Sequence, residues 1–129
     1  MSFFEGSARV PLVICAPRLF APRRVPHSVS LVDLLPTLVE LADDGRPGEY
    51  AGEIDGRSLL PHLAGTGGHD GVAAEYLAEG AIAPMVMLRC DRWKFVLSPA
   101  DPDQLYDLAE DPDERTNRAE DPDSCCSTS

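Results

Sequence analysis

The side chains that could do chemistry in this 129-residue chain are few and scattered. The three histidines fall at His27 in a proline-punctuated stretch, His62 in a short apolar segment and His69 in a glycine-rich connection. No H-x-x-x-H spacing accompanies them, so loop histidines without a metal stand beside the weaker alternative of a ligand pair at His69-Asp70. Cys15, Cys90 and the adjacent Cys125-Cys126 form neither a C-x-x-C nor a Cys/His zinc spacing, and reduced thiols are expected. G-x-S-x-G is absent, and GTGGHDG at 65–71 lacks the G-K-[ST] of a phosphate loop. The acidic tail alternates Asp with other residues but lacks the central Gly and terminal Glu of a calcium loop. Glu75 and Glu79 are less ordinary. If EYLAE is extended, positions 75, 77 and 79 share one face. A carboxylate among Tyr, Leu, Ala and Ile is costly to bury without a cation. Two readings stay open there: a salt bridge to an arginine, or a group facing a ligand.

Charge narrows the classes of partner. Eleven Lys+Arg against 22 Asp+Glu leave a net charge of −11. That balance argues against nucleic acid, which needs clustered cations, and against an anionic membrane surface. Ten acids and two arginines lie in residues 101–123, so −8 of the total belongs to the tail. Lys94 is the one lysine beside ten arginines, a bias attributable to genome base composition. With no apolar run long enough to span a bilayer and no signal-peptide pattern at MSFFEGSARV, a soluble, cytoplasmic protein is expected.

The elements that must position these residues can be read from periodicity. Leu12-Val13-Ile14-Cys15, bounded by prolines, predicts a strand over about 10–16, buried on both faces as in a parallel sheet. Ser30 with Asp33 forms an S-x-x-D helix start, and apolar residues at 31, 34, 35, 38, 39 and 41 predict an amphipathic helix over about 31–42. Pro36 should kink that helix or divide it. A short helix is expected at about 58–63. Beyond Val72 the pattern turns extended: EYLAE at 75–79, then MVMLRC at 85–90 and WKFVL at 93–97 flanking Asp91-Arg92 as a two-residue hairpin loop. Asp111-Pro112 with Glu114 reads as the start of a C-terminal helix. A parallel strand needs neighbours on both edges, and one such strand cannot make a sheet alone. The chain therefore reads as a fragment.

FFEGSARVPL at 3–12, SLVDLLPTLVELA at 30–42, DGRSLLPHL at 55–63, EYLAEGAIAP at 75–84 and RWKFVLSPADPDQLYDLAEDPDERTN at 92–117 occur in that order. Together they resemble the C-terminal portion of a sulfatase, from Ser2 to about Asp121. The general elements are E-G-x-x-R-V-P-L, D-L-x-P-T-L and L-Y-D-L-x-x-D-P-x-E-x-x-N. FFEGSARVPL, EYLAEGAIAP and SPADPDQLYDL are similar to the bacterial choline-sulfatase subgroup.

The resemblance implies an α/β, alkaline-phosphatase-like fold, of which this chain would supply the C-terminal portion. Residues 1–71 would end the large α/β domain with one strand and a helix. Residues 72–121 would form a small antiparallel β subdomain with a C-terminal helix, and 122–129 a disordered tail. It implies a sulfuric ester hydrolase with a formylglycine nucleophile and a divalent metal, calcium in most members. The complete enzyme would hydrolyse choline O-sulfate to choline and sulfate as a homo-oligomer. Glu79 matches the glutamate that faces the quaternary ammonium of choline, a cation recognised by carboxylate and aromatic faces. Glu5 and Arg9 would buttress the turn after the metal loop, and Trp93 would be hairpin core. The sequence departs from the family where catalysis resides. It has no C-x-P-x-R, for which Cys15-Ala16-Pro17-Arg18 is one residue short, and no S-D-H-G. The expectation is therefore a C-terminal fragment without nucleophile or metal ligands, inactive alone. The alternatives are a non-catalytic subunit or quaternary-ammonium-binding module, or a fragment of a hydrolase acting on another sulfate ester, a phosphonate or a phosphodiester.

Overall fold

The computed structural model of the chain describes residues 3–44, 46, 54–77 and 82–121. It divides into two compact units, one made of Met1–Leu12 with Val72–Ser129 and the other of Val13–Gly71. The first is built on a four-stranded antiparallel sheet in the order β1-β2-β3-β4, with β1 Val72–Tyr76, β2 Met85–Cys90, β3 Trp93–Leu97 and β4 Gln104–Asp107. The β2–β3 hairpin turns on Asp91-Arg92, as expected, with Cys90 opposite Trp93. Asp91 takes φ 51°, a left-handed conformation that Asp tolerates better than most residues.

Register sorts the strands into two faces. One carries Val72, Arg89, Lys94 and Tyr106 in a row across the sheet, with Ala74, Met87, Val96 and Gln104 beside it. Met87, Lys94, Val96 and Tyr106 are all buried. Over this face lies a single helical turn, α1 Glu5–Ala8, with the Phe4 ring tilted against Tyr106 at a centroid distance of 6.3 Å. β4 is an edge strand whose open backbone groups need partners. The tail supplies them, because Arg118 N–H donates to the Leu105 carbonyl and the Asn117 side chain bridges Leu105 N–H and the Asp103 carbonyl.

The second unit is held by helices and turns. A 3-10 turn, Leu31–Asp33, leads into α2 Leu34–Ala42, and α3 covers Leu60–Ala64. The expected helix is thus present but divided before Pro36. Proline becomes the third residue of α2, where a missing N–H costs little. α3 ends on Gly65 at φ 80°, with Gly65 N–H and Thr66 N–H closing back onto His62 and Pro61 carbonyls in a Schellman cap.

The α/β character and the small antiparallel subdomain agree with expectation; two elements do not. No strand forms over residues 10–16, and Val10, Leu12, Val13 and Ile14 are exposed. The ladder partners a parallel strand requires are not offered by this sheet, which is complete with four antiparallel strands. The expected C-terminal helix is also replaced by turns. Glu114 adopts φ 55°, outside helical space, and the Asp111 carboxylate accepts Thr116 N–H. The tail from 122 to 129 lies outside the described residues.

Candidate functional site

Two clusters of ionisable side chains emerge, one in each unit. On the sheet, Arg89 and Lys94 are directly opposite on neighbouring strands, a like-charge pairing that is unfavourable unless carboxylates intervene. Glu5 intervenes. Its carboxylate accepts from Arg89 Nη1 at 2.8 and 3.0 Å and from Lys94 Nζ at 3.2 Å. Glu114 completes the set, with Oε2 accepting Glu5 N–H at 2.6 Å and Oε1 lying 2.7 Å from Lys94 Nζ. Two cations and two carboxylates balance, with Lys94 fully buried among them. Such a cluster fixes the first turn of the chain to the sheet, and Arg89 Nε within it is buried without a hydrogen-bond partner.

Along the other face, Asp107 is buried opposite Trp93 and takes a two-point contact from the Arg92 guanidinium. That contact, helped by Ala109 N–H, outweighs burial and holds the Asp107 carboxyl below the usual range. Arg92 also sits 5.6 Å from the centre of the Trp93 ring, which lies on the hairpin but is only half-buried, not core as expected.

In the second unit Asp33 is the hub. Its carboxylate accepts Ser30 N–H and Arg57 N–H, both at 2.8 Å, and lies 3.0 Å from His69 Nε2. Burial alone would raise its pKa; the two amides and His69 reverse that, and the carboxyl is held below its ordinary value. Thr37 extends the hub, donating to the Asp33 carbonyl at 2.6 Å and accepting Leu59 N–H at 2.8 Å. The three imidazoles line up, with His62 5.2 Å from His27 and 5.3 Å from His69 between ring centroids. His62 Nε2 is buried without a hydrogen-bond partner. Gly68 packs over that end of the ring, where an added Cβ would clash with Cε1, Nε2 and Cδ2. His69 faces Asp33, and Asp70 accepts Ser28 N–H at 2.9 Å, so the His69-Asp70 dipeptide is spent on packing.

Glu79, the expected ligand-facing carboxylate, lies outside the described residues. Before it, Glu75 and Leu77 are both exposed and Glu75 is opposite Val86. Arg9 is exposed, as are the free thiols of Cys15 and Cys90.

A family model for the C-terminal part of N-sulphoglucosamine sulphohydrolase matches residues 2–126. The chain belongs to the sulfatase family, in the region that family places at its C-terminus. It is 44% identical over 112 residues to a choline-sulfatase of Rhizobium meliloti (strain 1021), covering 84% of this chain and 21% of that protein. Against an arylsulfatase K of Danio rerio it is 37% identical over 120 residues, covering 85% and 22%. A solved 2-O GAG sulfatase superposes with TM-score 0.57 at 37% identity, over 70% of this chain and 20% of that one. The chain thus spans about a fifth of the length of the curated relatives it matches.

The family motifs acquire a physical meaning in this fold. Asp33, Pro36 and Thr37 of D-L-x-P-T-L form the buried side of the second unit's helix. Glu5 of the first motif meets Glu114 of the last, and Tyr106, Asp107 and Asn117 fix β4 and its edge. These contacts hold the C-terminal part together. Sulfatases use a divalent metal and a formylglycine, but this chain does not fit either. Among the described residues no three His, Cys, Asp or Glu side chains are arranged to hold a metal, and Asp33 is saturated by amides and His69. Among them, too, no helix is long and apolar enough to cross a membrane.

Proposed function

We propose that the chain is the C-terminal part of a choline-sulfatase-like enzyme whose complete form hydrolyses choline O-sulfate. The 44% identity to a choline-sulfatase carries this reading. In it Glu79, following the β1 strand, faces the trimethylammonium group of the substrate. A quaternary ammonium cannot donate a strong hydrogen bond, so a carboxylate and aromatic faces are what discriminate it. The nucleophile, the metal and the sulfate-contacting groups come from the preceding part of the enzyme, and residues 1–129 alone turn over nothing. The enzyme belongs to bacterial choline metabolism, works in the cytoplasm and assembles as a homo-oligomer. The similarity to an arylsulfatase K supports a second reading, in which the complete enzyme takes another sulfate ester.

The test joins this chain behind the N-terminal portion of the Rhizobium meliloti choline-sulfatase and compares Glu79→Gln with the parent hybrid. On the choline reading, kcat/KM for choline O-sulfate falls about tenfold or more, the loss of roughly 1.4 kcal/mol of charge recognition. Turnover of an aryl sulfate that carries no cationic group stays unchanged. Equal losses on both esters, or no loss, would overturn the role of Glu79.

A further inference from the structure

Among the described residues of the second unit, His62 is the one buried side chain with a polar atom left unpartnered. It is only 4% exposed, and the His27 and His69 rings flank it at 5.2 and 5.3 Å. In the neutral ring with its proton on Nδ1, Nε2 is a bare lone pair under Gly68. A second proton turns that lone pair into an N–H with no acceptor and puts a charge on a buried group. The charged and titratable groups packed nearby do not relieve it. Arg23, from the stretch before the 3-10 turn, donates Nη1 to the His62 carbonyl at 3.4 Å and brings a fixed positive charge. His27, from the same stretch, is a second imidazole. Asp33, on the turn, is engaged by two amides and by His69. Asp70, on the glycine-rich connection, holds Ser28 N–H at 2.9 Å. His69 differs from His62, because a proton there meets the Asp33 carboxylate at 3.0 Å. A charged His69 then adds a like charge beside the His62 ring.

We infer that His62 is an acid-sensitive latch: taking up a proton releases α3 from the glycine-rich connection that covers its ring. The inference stands on contacts inside the second unit and does not depend on which ester the complete enzyme takes. Those contacts define what is released. Leu59 N–H donates to Thr37 Oγ1 at the start of α3, and Gly65 and Thr66 N–H close its end onto the Pro61 carbonyl. Gly68 follows three residues after that cap, so the ring edge cannot turn toward water without displacing it. In the opened segment the imidazole is hydrated and takes its proton at the ordinary histidine value of about 6.5. The closed segment offers that proton no acceptor. The open form therefore binds more protons, so closure is fully favoured above that value and loses favour as pH falls below it. That range lies well above the one in which the depressed Asp33 carboxyl titrates.

Amide exchange of the full chain, followed by NMR and corrected for the intrinsic rate at each pH, tests this. Protection at Leu63, Gly65 and Thr66 should fall about tenfold between about pH 7.5 and about pH 5.5, the factor that one proton supplies one unit below the ordinary histidine value. Amides of the β2–β3 hairpin should keep their protection. His62→Leu, apolar and of similar size, should abolish the fall, and His27→Gln should leave it in place. Unchanged protection over that range overturns the inference, as does a fall that survives in His62→Leu or disappears in His27→Gln. A parallel fall at the hairpin amides also overturns it, since the acid effect is then general unfolding. Should His62→Leu fail to fold, the ring 15N shifts of the unsubstituted chain decide. His62 should become charged only as protection at Leu63 and Gly65 is lost, and a charged His62 ring in the fully protected state contradicts the latch.

Discussion

Lys94 has no water to fall back on. With its ammonium removed, Glu5 and Glu114 keep two carboxylates in a buried site with only Arg89 to offset them. Removing one partner from such a pair costs about 3 kcal/mol or more, a large share of a small protein's stability. Lys94→Ala should therefore lower the urea midpoint sharply, read by fluorescence of Trp93 on the same strand. An unchanged midpoint would mean that the cluster is not coupled to folding. Asp33 predicts a pH effect. Its carboxyl is depressed in the folded state, so its stabilisation is full above the ordinary value of 3.8 and is lost as pH falls through the lower folded value. Amide exchange at Ser30 and Arg57, the two donors, should accelerate in that acid window; Asp33→Asn should show fast exchange already at neutral pH. Of the two clusters, only the Ser30–Asp33 capping contact was legible from spacing. Lys94 read as a consequence of base composition, and Glu114 as the third residue of a helix, because Glu5 and Glu114 are 109 positions apart. The sequence suggested a salt bridge at Glu75, whereas the buried ion pairs formed elsewhere.

Elements set by local chemistry were the most readable. The β2–β3 hairpin needed only two alternating runs and a two-residue loop, and its register followed. Asp91 holds a backbone conformation that glycine adopts freely, so Asp91→Gly should raise stability by up to about 1 kcal/mol in thermal unfolding, and Asp91→Val should lower it. The helix at 31–42 was equally visible, but periodicity reports that a stripe exists and not which body covers it. Here Leu31, Leu35 and Leu38 face outward and a threonine faces in. Gly56 shows the cost of that arrangement: a Cβ there would come within 2.1 Å of the Val32 carbonyl oxygen. Gly56→Ala must push the 3-10 turn away and should destabilise the chain by about 1–3 kcal/mol in denaturant titration. The segment 10–16 has strand composition without a ladder, since β-structure depends on partners that composition cannot supply. β4 was missed for a related reason. QLYD is short, polar at both ends, and becomes a strand only because β3 offers an edge.

At the level of the whole molecule, only five apolar side chains, Pro36, Leu59, Met87, Val96 and Tyr106, are buried among the described residues. Fourteen large hydrophobic ones are exposed. Burying one such side chain contributes about 1.5–3 kcal/mol, so a chain that leaves this many in water is better understood as part of a larger body. Polar and ionic cement, not a wide core, holds its two units, and the sulfatase motifs supply that cement. The family was legible because those motifs are ordered along almost the entire chain. Glu79, the one site residue proposed from the sequence, lies outside the described residues. The most direct measurement is sulfate release from choline O-sulfate by the purified 129-residue chain, alone and as the hybrid carrying an N-terminal sulfatase portion. The account predicts no turnover by the chain alone and turnover by the hybrid. Sulfate released by the chain alone, in proportion to its concentration and abolished by Glu79→Gln, would contradict it.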